Sequence, residues 1–304
     1  VVEGGKPVRG AGVTLWRTHS RGSAIAAVVD EDGTFRAEDL EPGVYTVYAH
    51  APAYVVDAAV APVARPGDDV TVRLVRGGVI TGRGTTAEGE PLVLMPVRAR
   101  RIRDAHGRTP QRRDEYFETA TDDRGEYRLY GLSGGTFVVM AGGKSDTVFN
   151  TSIYTTDAPT YHPSATADAA LPVTVHPGQE LTGVDIRYRA LKGYSVSGRI
   201  ERPSTAMKGN SVVRMMSIDG TDIAYEEAMP SATGAFTFQI DGVPDGEYLL
   251  WGALVDGRFA VAGSATQRVV VRGADVTGFA LMLAPYGGVS GAGVVEEGEP
   301  AEAC

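Results

Sequence analysis

The sequence predicts an all-β protein built as a tandem run of antiparallel β-sandwiches, and three observations predict it. Glycine supplies 39 of the 304 residues, roughly 13% against a usual ~7%. These glycines fall between short runs rich in Val, Tyr, Phe and Thr, the composition of many short strands joined by tight turns. One motif recurs: TDDRGEYRLYGLSGGTFVVMAG from Thr121 has looser copies in DEDGTFRAEDLEPGVYTVYA from Asp30 and SATGAFTFQIDGVPDGEYLLWGA from Ser231. The copies mark units of roughly 80 to 115 residues, the size of a seven-strand sandwich and too large for a solenoid repeat.

Each piece of the motif has a mechanical reading. The copies align on Gly33, Phe35, Leu40, Gly43, Tyr45; on Gly125, Tyr127, Leu132, Gly135, Phe137; and on Gly234, Phe236, Val243, Gly246, Tyr248, the last with two extra residues in the middle. Asp-x-x-Gly (Asp30 to Gly33, Asp122 to Gly125) is turn chemistry, the Asp side chain accepting from backbone amides and the Gly tolerating positive φ. The aromatic two residues later opens a strand and points to one face. Leu-x-x-Gly-x-aromatic is a second turn that returns the chain as the next strand. Aromatics from adjacent strands then fill one core.

A second signature trails each copy: RPGDDVTVRL from Arg65, HPGQELTGVDI from His176 and RGADVTGFAL from Arg272. Each leads into a Gly-punctuated strand, VITGRG at 79, SVSGRI at 195 and VSGAGV at 289. These strands set the expected boundaries: a first repeat over 1–77 with its opening strand incomplete, a second over 78–191 with a long insertion, a third over 192–285, and in 286–304 the opening strand of a further repeat or a donor strand. VVEGGKP at 1–7 matches VVEEGEP at 294–300, so the chain starts and stops at the same phase of the repeat. Linkers of a few residues predict a rod of stacked modules.

The formal charge of −9 and pI near 5.1 argue against nucleic acid and anionic membrane surfaces as partners. No apolar run approaches the ~20 residues of a membrane-spanning helix, so no membrane insertion is expected. Cys304 is the only cysteine, which excludes an internal disulfide framework and a multi-cysteine metal cluster. No cofactor is expected.

Together these signatures resemble the carboxypeptidase regulatory-like domain, a transthyretin-like and Ig-like β-sandwich related to the Cna B-type modules of bacterial surface proteins. The resemblance covers nearly the whole chain and is most specific in the second repeat, in TDDRGEYRLYGL, in YHP at 161–163 and in VTVHPGQELTGVDI. It implies modules without catalysis that space, flank or attach other domains. Cna B-type modules often carry a Lys–Asn isopeptide bond promoted by a buried acid. The matching positions here are Ala49, Ala141 and Gly252, so no such bond is expected.

His19, His50, His106, His162 and His176 lie far apart with no HxH or HExxH spacing, and read as loop or surface residues. The acidic turns at Asp30 and Asp122 have the look of a calcium loop, but the third copy has Ser231-Ala232-Thr233-Gly234 there, so the turn reading is preferred. Arg98, Arg100, Arg101 and Arg103 begin a basic cluster, continued by Arg108, Arg112 and Arg113, that could grip phosphate or acidic polysaccharide. In the same stretch Met95, Val97 and Ala99 suggest a half-exposed strand pair extending beyond the sandwich. Trp16, Trp251, Tyr154 and Tyr161 are candidate exposed aromatics, with Tyr154 and Tyr161 the freer pair for stacking on sugar rings.

The functional expectation is a non-catalytic structural or adhesive protein of the bacterial cell surface or extracellular space, the periplasm being the nearest alternative location. Its partners would be further copies of itself or other surface proteins. An incomplete first sandwich and a spare strand at the other end predict head-to-tail strand donation into a filament, with Val289, Gly291, Gly293, Val294 and Val295 as the donor. The competing expectation is a carbohydrate-binding accessory region of a larger secreted protein, with polysaccharide as partner.

Overall fold

A computed structural model describes residues 1–18, 25–56, 62–110, 116–143, 153–203, 208–218, 222–230, 236–256 and 259–287. The regular structure is almost wholly strand, with a single 3-10 turn at Ala167–Ala169 among the described residues. The chain divides into two compact units, one of Val1–Tyr194 with Asp241–Pro244, the other of Ser195–Ile240 with Asp245–Cys304. The expected boundary at 77/78 therefore separates two sets of sheets inside one unit. At that point the Gly77 amide donates to the Ala53 carbonyl at 2.9 Å.

In the first repeat β1 (Gly12–Arg17) pairs with β2 (Ile25–Val28) and with β3 (Tyr45–His50), which adds the short strand Val63–Ala64. Alternation along β3 buries Tyr45, Val47 and Ala49 against Val13, Leu15, Val72 and Leu74. A second, two-stranded sheet joins Tyr54–Val56 to Leu74–Arg76.

The second repeat is a complete sandwich. Its strands are β4 (Gly78–Thr85), β5 (Pro96–Asp104), β6 (Tyr116–Ala120), β7 (Glu126–Leu132) and β8 (Gly135–Ala141). One sheet runs β6-β5-β8 and continues into Thr160–Tyr161. The other places β4 between β7, antiparallel, and the short strands Glu180–Leu181 and Ile186–Arg187, both parallel to it. Ile80, Leu129 and Leu132 from one sheet meet Val97, Phe137 and Val139 from the other in a single core. Met95, Val97 and Ala99 are fully buried. The strand expected to extend beyond the sandwich is thus central to it, because β5 is flanked on both sides by ladder partners.

The second unit repeats the plan with β9 (Tyr194–Glu201, entering at Ser195), β10 (Asn210–Ser217), β11 (Asp222–Glu227), β12 (Phe236–Val243), β13 (Gly246–Asp256) and β14 (Val276–Met282). β9 again has a ladder partner on each side, β12 and, parallel to it, β14. The facing sheet runs β11-β10-β13 and on through Phe259–Gly263 to Ala284–Pro285. Burial corrects one alignment: Phe238, Ile240 and Val243 are the buried residues of β12, while Phe236 is only half-buried. Phe238, not Phe236, holds the place of Tyr127, and the two extra residues fall between Gly234 and Phe238 instead of between the aromatic and Val243.

Candidate functional site: the opening strands and their surroundings

The opening strand is the piece that closes each sandwich, and its glycines record how tightly it fits. A Cβ on Gly82 would lie 2.1 Å from the Val184 carbonyl oxygen, and one on Gly198 would lie 2.3 Å from that of Phe279. In both cases the obstacle is the backbone of the chain segment on the parallel side, so only glycine fits. Two residues before each glycine a fully buried aliphatic, Ile80 or Val196, enters the core. The local rule is Ile/Val, then Thr/Ser, then Gly.

In the first repeat Val1 and Val2 lie at the place of the end of this strand. The Val1 nitrogen donates to the Gly33 carbonyl at 2.6 Å and the Val2 amide to the Val72 carbonyl at 3.0 Å. In the second repeat the Gly84 amide donates in the same way to the Gly125 carbonyl at 2.8 Å, so Val1 occupies the place of Gly84.

Phe35, Ala37 and Leu40, the counterparts of Tyr127, Leu129 and Leu132, are half-buried where the latter three are buried. Residues 34–40 form no ladder among the described residues, and Val70 to Val72 lie outside the named strands.

The acidic turns serve the backbone. Asp30 Oδ1 accepts from the amides of Asp32 and Thr34 at 3.1 and 2.9 Å, and Asp122 Oδ1 from those of Arg124 and Glu126 at 2.9 and 2.8 Å. Asp104 to Gly107 has the same spacing outside the repeated motif, and Asp104 Oδ1 accepts from the amides of His106 and Arg108, each at 2.8 Å. The Thr34 hydroxyl, and then its amide, hold Asp30 below the ordinary carboxylate range. The Arg108 amide is the largest cause of the same shift at Asp104. Among the described residues no group of three or more His, Cys, Asp or Glu is placed to hold a metal ion.

The arginines do not converge. Arg98 is only 4% exposed and one of its terminal amines donates to the Gly142 carbonyl. Arg101 donates to the Gly134 carbonyl at 3.0 Å and Arg103 to Thr109 Oγ1 at 2.9 Å. Arg100 is half-buried on β5, and Arg112 and Arg113 lie outside the described residues. Tyr161 is 9% exposed and packs with Val138, Met140 and Ala165 over the outer face of the β5–β8 sheet, so it offers no free ring. Tyr154 meets Tyr188 edge-on with centroids 5.7 Å apart. Trp16 is 40% exposed on β1, whereas Trp251 is half-buried on β13. His19 lies outside the described residues, as do the expected donors Val289, Gly291, Gly293, Val294 and Val295.

One polar hollow of about 670 Å³ opens beside β4 and β7, lined among others by Arg83, Asp122, Glu126, Arg128 and Asp185. Three of its charged residues have partners: Arg83 Nε donates to the Arg124 carbonyl, Arg128 pairs with Glu180, and Asp185 accepts from the Arg83 amide. At its floor the Tyr127 hydroxyl donates to the Val184 carbonyl, and burial pushes its pKa up.

No family model matches the chain, and no curated protein matches it. Solved structures that resemble it include the Bacillus anthracis TIE protein, at 13% identity over 92% of this chain with a TM-score of 0.21; the chain spans 49% of that protein's length. GBS52, the minor pilin of Streptococcus agalactiae, shares 11% identity over 71% of this chain and 100% of its own, with a TM-score of 0.25. BcpA, the major pilin subunit of Bacillus cereus, shares 11% identity over 93% and 97%, with a TM-score of 0.21. Similarity at this level carries no functional argument, and the all-β sandwich architecture rests on the sheets described above.

Proposed function

We propose that this chain is a non-catalytic structural repeat protein of the bacterial exterior, its modules set in series over 1–77, 78–191 and 192–285 and its contacts made with further copies of itself. The observation that supports this reading is the recurrence of one strand-closing plan in the second and third repeats, in which an Ile/Val–Thr/Ser–Gly strand, β4 or β9, packs its glycine against the backbone on the side of its parallel neighbour. Its chemistry is that of backbone pairing and core burial, which holds chains together. The polar hollow fits the same reading, since Arg83, Arg128 and Asp185 on its wall are engaged with another side chain or with backbone.

Immunogold labelling of intact cells that make the protein tests the placement. Label on the outer surface is the expected result; label confined to the cytoplasm overturns it.

A further inference from the structure

We infer that the outward face of the sheet β2-β1-β3 in the first repeat is a binding platform for an uncharged polysaccharide, with Trp16 and Tyr48 as its stacking rings. The inference goes beyond the structural reading above and does not depend on it.

Strand alternation builds the face. Val13 and Leu15 on β1 and Tyr45, Val47 and Ala49 on β3 enter the core, so Thr14, Trp16, Thr46, Tyr48 and His50 point the other way. The register sets Trp16 opposite Thr46, Thr14 opposite Tyr48 and Gly12 opposite His50. Trp16 and Tyr48 are therefore diagonal neighbours, about 7–8 Å apart, each with a threonine hydroxyl beside it. A Cβ on Gly12 would lie 2.2 Å from the His50 imidazole, so that ring rests over bare backbone and extends the aromatic line. Trp16 is 40% exposed, and the flanking Val28 and Val63, opposite Gly12 and Thr46, are 77% and 59% exposed.

The second repeat shows the same face when the chain covers it. With Tyr45 aligned to Phe137, Thr46 and Tyr48 correspond to Val138 and Met140, which are buried with Tyr161 and Ala165. That cover comes from the segment 142–172 between β8 and Val173–Val175, whereas the first repeat has only 51–62 between β3 and Val63–Ala64. The covered side chains are plain aliphatics and Met. The uncovered ones are Trp, Tyr, His and Thr, which join an apolar body to a polar tip and suit a surface that is wet when unoccupied.

Charge and size decide the occupant. No Asp, Glu, Lys or Arg stands among these positions or at Ala26, their neighbour on β2, so the face has nothing to pair with an ionic partner. Strands ~4.8 Å apart and rows ~6.7 Å apart give it roughly 200–300 Å², well short of the ~800 Å² per partner of a stable protein interface. A sugar ring offers a C–H face to an aromatic and a hydroxyl rim to threonine at the same time. A short run of uncharged sugar rings therefore matches the face in size, polarity and charge.

The experiment is native affinity electrophoresis of the full 304-residue chain in gels cast with a soluble β-glucan, a soluble α-glucan, a mannan or polygalacturonate. The unaltered chain is expected to be slowed by at least one of the three neutral polymers and not by polygalacturonate. Trp16→Ala and Tyr48→Ala should each weaken that retardation at least ~10-fold in affinity. Trp16→Phe should keep most of it, and Trp251→Ala, outside this face, should leave it unchanged. Ala26→Arg removes no packing and lays a long charged side chain across the platform, so it should abolish retardation with the melting temperature held, and it carries the test where Trp16→Ala fails to fold.

Equal mobility in all gels overturns the inference. So does retardation by polygalacturonate alone, or retardation that Trp16→Ala and Ala26→Arg leave unchanged. Equal mobility together with self-association that Ala26→Arg abolishes in sedimentation velocity would assign the face to a second copy instead. Surface labelling does not depend on retardation, so failure here leaves the placement reading standing and failure there leaves this one.

Discussion

Gly82 shows how much of this fold is decided by single atoms. A methyl group there would meet the Val184 carbonyl at 2.1 Å, and since the obstacle is backbone, relief requires parting a strand pair. Gly82→Ala is expected to cost about 2–3 kcal/mol, read as a lower urea midpoint, with Thr81→Ala on the half-exposed face close to neutral. Tyr127 and Tyr188 carry a pH signature. Burial pushes both phenols upward, aided at Tyr188 by its bond to Asp157. The folded chain keeps these protons where the unfolded chain, ionising near pH ~10, gives them up. Their contribution is therefore complete below that value and drains away as pH rises above it. Absorbance at 295 nm should show these two tyrosines ionising only as the protein unfolds. Tyr127→Phe should flatten the alkaline fall in melting temperature while losing a hydrogen bond worth about 1 kcal/mol.

Among the elements, the three copies of the motif, residues 34–40, β7 and β12, share a left-handed residue just before their last core side chain. It is Asp39 at φ 56°, Gly131 at 73° and Gly242 at 73°, ahead of Leu40, Leu132 and Val243. Gly131→Ala should cost about 1–2 kcal/mol from the positive φ alone, and Asp39→Gly should recover up to about 1 kcal/mol, both measurable by chemical denaturation. Such positions are legible in the sequence because turn chemistry is local: the Asp-x-x-Gly turns and the opening-strand glycines follow from residues within four of each other. Elements set by distant partners are less legible. The true place of Phe238 emerged only from burial, since counting forward from Gly234 and backward from Val243 gives different registers. Arg98 and Tyr161 looked available because the cover over β5 and β8 comes from residues 157–170, and nothing near Arg98 in the chain signals it.

For the whole molecule, the same motif is paired to different degrees along the chain, and local stability should follow. The opening strand has a ladder partner on both sides in the second and third repeats, and β7 and β12 pair with it, whereas residues 34–40 form no ladder among the described residues. Local opening energies track buried apolar contact and paired backbone, so 34–40 should open most readily of the three segments. Hydrogen exchange followed by mass spectrometry separates the three segments directly. Amides of 34–40 should exchange at least ~100-fold faster than those of 126–132 and 236–243, a difference of about 2.7 kcal/mol in opening free energy at that ratio. Equal protection of all three segments would mean that 34–40 is paired as β7 and β12 are, and pairing would not be what sets the order.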